Sequence, residues 1–177
     1  MIHGSAEEFR LCVKDLLDAP CVQSMQRFTQ HGDVSTLEHC LFVAFFSYLI
    51  CHKFRWDFRA AARGGLLHDL FLYDWHTPHC CEGLHGFTHP RTALKNAQKY
   101  FVLTRQEENI ILSHMWPLTL RALPRHRESI VVCCADKVCA LLETFGYVRR
   151  LRRRESLRWI LLLCRMAESQ AGLSRAA

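Results

Sequence analysis

Histidine is the residue type in this sequence that most clearly suggests a chemical function. Eleven of the 177 residues are His, and five of them lie between His68 and His89. Neutral imidazole is a good ligand for divalent transition metals, and carboxylates often complete such sites. The composition therefore points to a metal centre, and the question is which histidines and carboxylates converge.

Asp136 is the carboxylate whose setting is most unusual. Its helical neighbours three and four positions away are apolar, namely Val132, Cys133, Cys139 and Ala140. Residues at these spacings share one helix face, so Asp136 is expected to face the core. A buried ionised carboxylate is costly unless it is paired or bound to a metal. Periodicity alone favours a salt bridge to a buried arginine, or a helix rotated towards solvent, over a metal ligand.

His39 and the pair His68-Asp69 give similar signals, each weak when taken alone. Phe42 and Val43 follow His39 at helical spacing, which is typical of a hydrogen-bonded core histidine. His68 and Asp69 end an apolar segment, and adjacent helical residues point about 100° apart. Such a pair can therefore contact two sides of one site.

Together these residues resemble the HD superfamily of metal-dependent phosphohydrolases. The segment AARGGLLHD, residues 61–69, is similar to the helix that ends in the family's name-giving doublet, and Ala135-Asp136-Lys137 is similar to its last ligand segment. His89 and His114 fit the binuclear branch of the family. The resemblance covers residues 37–143, and the segments LHDLFLYDWH, HGFTHPRTALKNA and HMWPL are similar to those of small bacterial stand-alone HD proteins.

The resemblance implies two divalent cations in an all-α bundle. It assigns one cation to His39, His68, Asp69 and Asp136. It assigns a second cation to His89 and His114, with Asp69 as the bridging and catalytic carboxylate. A bridging hydroxide activated by the cations would cleave a phosphate mono- or diester, with a nucleotide as the expected substrate. The mixed nitrogen and oxygen ligands favour Fe or Mn, with Co, Ni, Zn and Mg as alternatives.

Residues around these ligands are candidates for catalysis or substrate binding. Lys137 is assigned a catalytic or phosphate-binding role, and His85 is the favoured leaving-group acid among the loop histidines. Further substrate contacts are expected from Arg63, His76 and Arg91. For Arg63 a salt bridge away from the site is an equal alternative. For each of His76, His79 and His85, a solvated position in the loop without a catalytic role is the favoured alternative. Trp75 and Trp116 are open to stacking on a ring or to ordinary packing.

The elements that must position these residues are helices, because no alternating strand pattern is sustained. Capping boxes begin helices at Ser5, Ser35 and Thr104, and Asp57 caps another. The expected helices cover residues 5–17, 21–28, 35–52, 58–70, 88–101, 104–114, 127–145 and 148–168. Pro90 is expected near the first helical position of its helix, and Gly146 is expected as a C-cap. The interpretation is one all-α domain over residues 1–177. An HD core of about 35–145 would carry the helices of 5–28 and the basic helix 148–168.

Composition excludes several classes of protein. Half of the residues are apolar and 23% are charged, which is typical of a globular chain. No apolar run reaches the roughly 18 residues of a membrane span, and the polar N-terminus is unlike a secretory signal. The ten cysteines include several in apolar runs and form no C-x-x-C motif, so free thiols and a cytoplasmic location are expected.

The arginines between Arg149 and Arg154 supply five positive charges of a net charge of +6. A solvated helix face is the favoured explanation, ahead of attraction to nucleic acid or an acidic partner. A homodimer contact through Trp159, Ile160 and Leu163 is the third. The alternatives to a phosphohydrolase are thus a non-catalytic nucleotide-binding or regulatory HD protein, and a nucleic-acid-binding protein.

Overall fold

A computed structural model of the chain describes residues 2–78 and 83–147. Helix dominates these ranges, with α1 (Ile2–Leu17), α2 (Pro20–Ser24), α3 (Thr36–Lys53), α4 (Phe58–Leu67), α5 (His85–Tyr100), α6 (Arg105–Ser113) and α7 (Arg127–Thr144). A 3-10 turn (Met25–Arg27) and two short strands, β1 (Thr29–His31) and β2 (Val34–Ser35), connect α2 to α3. The predicted all-α class is confirmed for these ranges, in which the two-stranded hairpin is the one β element.

Helix α3 runs through the centre of the molecule. Thirteen of its eighteen residues are buried, so it is covered on nearly every side. It packs against α4 and α7, while α4 also contacts α1 and α6. The buried core joins side chains from all of these helices, including Phe9, Leu41, Leu66 and Ile110. Residues near the start of α3 and the end of α4 are consequently held in the middle of the protein.

Two glycines allow α4 to approach its neighbours closely. A Cβ at Gly65 would lie 2.9 Å from the Cα of Ala44 in α3. A Cβ at Gly64 would lie 2.6 Å from Cγ2 of Ile110 in α6. Only glycine fits at these two positions, because the side chain of any other residue would push the helices apart. The Gly64-Gly65 pair therefore sets the distance of α4 from both partners just before His68.

The predicted helix starts are confirmed where a capping side chain is present. Asp57 accepts a hydrogen bond from the amide of Ala60 at 2.9 Å, and Ser35 accepts one from the amide of Glu38 at 3.2 Å. Thr104 and Glu107 form the full reciprocal capping box of α6. At the end of α7, Gly146 adopts a φ of 70°, as a helix-terminating glycine does.

Four predicted boundaries were wrong by more than one residue. The helix predicted over 21–28 ends at Ser24 and is followed by the 3-10 turn. Helix α1 begins at Ile2 and not at Ser5, and α4 ends at Leu67 and not at Leu70. Helix α5 begins at His85, so Pro90 lies inside it and not near its first position. At the early end of α4, Nδ1 of His68 donates to the carbonyl oxygen of Gly65 at 2.7 Å. A continuing helix would offer that oxygen to the next turn.

The connection between α2 and α3 contains a small antiparallel hairpin that the sequence did not predict. Strand β1 pairs with β2 around Gly32, whose φ is 61°. The hairpin places Gln30 in a buried position beside the start of α3. No helix in residues 2–78 or 83–147 is long and apolar enough to cross a membrane. The predicted helix 148–168, the arginine run and His79 lie outside the described residues.

Candidate metal centre

Five helices bring the six predicted ligand residues into one buried cluster. His39 lies in the first turn of α3, His89 in the second turn of α5 and Asp136 in the middle of α7. His68-Asp69 and His114 follow the last residues of α4 and α6. Their nitrogen and oxygen atoms form three overlapping groups in which all atoms lie within 4.8 Å of one another. These groups are His39–His68–Asp69, His68–His114–Asp136 and Asp69–His89–His114.

All four imidazole rings are oriented in the same way, with Nδ1 pointing out of the cluster and Nε2 pointing in. Nδ1 of His68, His89 and His114 bonds to the backbone carbonyl oxygens of Gly65, His85 and Ile111 at 2.7–2.8 Å. A carbonyl oxygen only accepts, so Nδ1 carries the hydrogen and a neutral ring presents the Nε2 lone pair to the cluster. Metal-ligating histidines in proteins are fixed in this way.

His39 is oriented by a side chain. Its Nδ1 lies 2.9 Å from both carboxylate oxygens of Glu143, and its Nε2 lies 3.2 Å from Oδ1 of Asp136. Glu143 is buried and lies two helical turns after Asp136, on the same face of α7. One helix thus supplies a carboxylate to each nitrogen of the same ring.

Asp69 faces two separate sets of imidazole nitrogens. Its Oδ1 lies 3.3 Å from Nε2 of His89 and 3.4 Å from Nε2 of His114. Its Oδ2 lies 3.5 Å from Nε2 of His68 and accepts a hydrogen bond of 2.6 Å from the Gln30 amide. The two oxygens of one carboxylate are thereby directed to two sides of the cluster.

The spacing of these atoms fits cations better than it fits hydrogen bonds. Ligand atoms about 2.1 Å from a shared ion lie about 3.0–3.4 Å apart, according to the angle between them. Nε2 of His89 and Nε2 of His114 are 2.8 Å apart, a separation at which two lone pairs repel unless a proton or cation lies between them. Among the described residues, no hydrogen bond of normal geometry reaches the buried Nε2 of His68 or Oδ1 of Asp69. The donor set therefore fits divalent metal ions.

The buried charges shift the pKa values of the cluster strongly. Burial opposes a charge on His39, but hydrogen bonds to Asp136 and Glu143 outweigh it and raise the pKa of His39 to about 10. Burial likewise opposes ionisation of Asp136, yet the hydrogen bond to His39 and the nearby His68 ring, whose Nε2 lies 3.6 Å from Oδ1, hold the pKa of Asp136 below its usual range. The carboxylates are thus ionised and attract either protons or metal cations.

Lys137 lies beside the cluster and braces it. Its Nζ donates to the carbonyl oxygen of His114 at 2.9 Å and to the carbonyl oxygen of Cys133 at 3.2 Å. Sγ of Cys133 lies 3.2 Å away as a third acceptor. The ammonium group therefore ties the segment that carries His114 to α7, in addition to lining the cavity described below.

His85 also lies beside the cluster, and its electrostatics alter its expected role. Its ring stacks on His89 with centroids 4.4 Å apart, and its Nδ1 lies 3.0 Å from the Tyr73 hydroxyl. Burial, followed by repulsion from His89, lowers the pKa of His85 to about 4. A ring that is neutral at pH 7 is suited to donating a hydrogen bond, and it is poorly suited to the predicted role of proton-carrying acid.

Three predicted substrate contacts lie away from the cavity. Arg63 is buried and pairs with Asp15 at 2.6 Å and with Glu107 at 2.7 Å, which matches the alternative of a salt bridge away from the site. His76 is exposed and pairs with Asp74 at 3.2 Å. Arg91 is exposed on α5. None of the three lines the cavity, so the structure does not bring them to the candidate ligands.

Gln30 and Glu143 are cluster residues that the sequence interpretation missed. Gln30 holds the doublet carboxylate, and its own carbonyl oxygen accepts from Thr36 at 3.1 Å. Gln30 could not be identified from the sequence, because the strand that carries it has only three residues. Glu143 could have been identified, since it lies seven residues after Asp136 and therefore on the same helix face.

A cavity of about 550 Å³ opens beside the cluster. Asp69, His89, His114 and Asp136 line one part of it. The other described residues that line it are Gln30, Trp75, His85, Gly86, Met115, Pro117, Leu118, Lys137 and Ala140. A small molecule in this cavity would reach the inward-facing nitrogen and oxygen atoms directly. The arrangement thus combines a buried cation-binding cluster with an adjoining space for a ligand.

Comparison of the chain with protein-family models, with curated proteins and with solved structures finds no match in any of the three.

Proposed function

We propose that this protein is a metal-dependent phosphohydrolase of the HD type, with a centre for two divalent cations that cleaves a phosphate mono- or diester. The observation that carries the proposal is the orientation of Asp69. Its Oδ1 faces His89 and His114, and its Oδ2 faces His68. A carboxylate presented to two sets of imidazole nitrogens is suited to bridging two cations.

The proposed ligand sets follow the overlapping groups. One cation would be held by His39, His68, Asp69 and Asp136. The other would be held by Asp69, His89 and His114. Asp136 belongs to a group with both His68 and His114, so it lies where the two sets meet. Mixed nitrogen and oxygen ligands suit Fe or Mn in particular, and Co, Ni, Zn or Mg are the alternatives.

Hydrolysis of a phosphate ester requires the chain to hold the metal ligands and the substrate in fixed positions. Two divalent cations at such a site supply Lewis acidity and a nucleophile derived from water. Gln30 fixes the orientation of Asp69, and Lys137 fixes the segment of His114. His85, which lines the cavity, is placed to donate a hydrogen bond to a substrate oxygen. These residues would hold the reacting groups in a constant geometry, which is a major source of catalysis.

Metal analysis combined with phosphoester hydrolysis tests the proposal. We expect the purified full-length chain, incubated with Mn²⁺ or Fe²⁺ and desalted, to retain about two ions per molecule and to hydrolyse p-nitrophenyl phosphate or its bis-ester. The variant Asp69→Asn keeps the shape of the side chain and removes its charge. It should bind less metal and lose activity by at least about 100-fold. The matched control Asp18→Asn, on the exposed surface, should behave as the unmodified protein does.

Retention of two ions and full activity in Asp69→Asn would contradict the bridging role. Stoichiometric metal without hydrolysis of any ester in the panel would contradict the enzymatic part of the proposal. It would favour the regulatory alternative.

A further inference from the structure

The cavity beside the cluster divides into a polar part and a largely apolar part. The polar part consists of Gln30, His85, Lys137 and the four cluster residues that line the cavity, Asp69, His89, His114 and Asp136. The apolar residues among the described lining are Trp75, Gly86, Met115, Pro117, Leu118 and Ala140. Side chains of this kind exclude water and contact a ligand by burying its surface, and they offer few hydrogen bonds.

The apolar part is built from segments that also carry candidate ligands. Met115, Pro117 and Leu118 follow His114 along the chain, and Gly86 lies in the turn of α5 before His89. A Cβ at Gly86 would lie 3.3 Å from Cδ2 of Leu118 and 3.9 Å from Cε of Met115. These segments therefore pack on one another directly beside the cluster. A ligand group bound at the cluster would extend along apolar side chains.

Positive charge is scarce in the cavity apart from any bound cations. Lys137 is the one Lys or Arg among the described lining residues. The three hydrogens of its ammonium group already have three acceptors, the two carbonyl oxygens of His114 and Cys133 and the Sγ of Cys133. Arg63 is engaged by two carboxylates elsewhere. A second or third phosphate group would thus meet no available cationic side chain in this part of the chain.

We infer, on the basis of the proposed phosphohydrolase function, that the substrate is a phosphomonoester with one phosphoryl group and an apolar, preferably aromatic, substituent. The phosphoryl group lies at the cluster and the substituent lies against Met115, Pro117 and Leu118. Nucleoside di- and triphosphates are disfavoured, because among the described lining residues their extra charges meet no available cationic side chain and a ribose finds few hydrogen-bond partners.

Direct binding gives the first test without relying on turnover. The metal-loaded protein is titrated calorimetrically with phenylphosphonate and with methylphosphonate, which carry a phenyl group and a methyl group, respectively, on the same phosphonate. We expect phenylphosphonate to bind at least about ten-fold more tightly, because the ring buries apolar surface. Equal affinities, or no binding of phenylphosphonate, would overturn the inference.

Hydrolysis distinguishes this inference from the proposed function. We expect kcat/KM to be at least about ten-fold higher for phenyl phosphate than for ADP or ATP. Faster hydrolysis of ADP or ATP would overturn the inference and leave the phosphohydrolase intact. Tighter binding of phenylphosphonate with no hydrolysis of any ester would support the inferred ligand class and contradict the enzyme.

A pair of lysine variants tests the charge argument. Leu118→Lys adds a cation to the apolar part of the cavity and should raise the ratio of ADP to phenyl phosphate hydrolysis several-fold. Leu120→Lys adds the same charge at a side chain that is 72% exposed and does not line the cavity. It should leave the ratio unchanged. Equal ratios in both variants would contradict the role assigned to Leu118.

Discussion

The imidazole rings of the cluster differ in what holds them. Three rings are fixed by backbone carbonyl oxygens, and only His39 depends on a partner side chain, Glu143. A carboxylate that accepts from Nδ1 fixes the ring and makes its Nε2 a better electron donor. Glu143 is therefore a residue outside the proposed ligands whose substitution should weaken the cluster through His39.

We predict that Glu143→Gln lowers metal affinity by about 10–100-fold while the protein stays folded. The amide keeps the shape of the side chain but removes the charge that faces His39. Competition with a chromophoric chelator measures the affinity, and circular dichroism checks the fold.

Glu7→Gln is the matched control for this prediction, because Glu7 is exposed and pairs only with Arg10 in the hydrogen bonds and ion pairs described here. The two variants should differ clearly in metal affinity. If they bind metal equally well, Glu143 has no part in orienting His39.

At the residue scale, the sequence was informative where a residue broke the pattern around it. Asp136 on an apolar helix face and the His68-Asp69 doublet were weak signals when taken alone, and only the resemblance to the HD superfamily joined them in one site. The structure brings both to the cluster. Arg63 was a weaker inference, because an arginine in an apolar helix can pair with carboxylates from any direction. Sequence spacing could not show that Asp15 and Glu107 reach it first.

At the scale of elements, helix starts were predictable where a side chain caps them. The start of α7 at Arg127 was also predicted, although it has no side-chain cap. Asp57, Ser35 and Thr104 act as predicted. Helix α5 begins after Leu84, which provides no capping side chain, so Pro90 was taken as the start signal. The hairpin was missed because its strands have three and two residues, too few to show alternation.

We predict that Thr104→Ala lowers the free energy of unfolding by about 1 kcal/mol, because it removes one half of the capping box of α6. Urea denaturation monitored by circular dichroism measures the change. Thr144→Ala, at an exposed helix end, is the control and should change stability less. Equal effects would contradict the capping role of Thr104.

The close approach of α3 and α4 gives a second prediction at this scale. Gly65→Ala should lower the free energy of unfolding by about 1–3 kcal/mol, because the new methyl group meets the backbone of Ala44 and not a flexible side chain. It should also weaken metal binding, since His39 and His68 lie on the helices that are forced apart. An unchanged urea midpoint would contradict the packing described here.

At the scale of the whole molecule, the cluster links five helices, so cations should stabilise the fold. At a free metal concentration about 100 times the dissociation constant, binding adds about 2.7 kcal/mol of stability. For a chain of this size we expect a rise of roughly 5–10 °C in Tm. Differential scanning calorimetry with and without Mn²⁺ measures the rise, and Asp69→Asn should largely abolish it.

We further predict that this stabilisation by metal grows as pH rises from 6 to 8.5. The pKa of His39 is raised from 6.5 to about 10 in the folded chain. Its proton therefore stabilises the metal-free fold fully below about pH 6.5, and that contribution is lost as pH rises towards 10. A cation needs the deprotonated Nε2, so protons compete with it at the acidic end. An identical Tm difference at both pH values would contradict this competition.

The backbone hydrogen bonds of three histidines have an evolutionary consequence. Main-chain carbonyl oxygens of Gly65, His85 and Ile111 are present whatever side chains those positions carry. Substitution there cannot remove the acceptors, although it can disturb packing. Descendants of this protein can thus diversify the surroundings of these rings without losing their tautomers, whereas replacing Glu143 on α7 would retune the acidity of any cations held there.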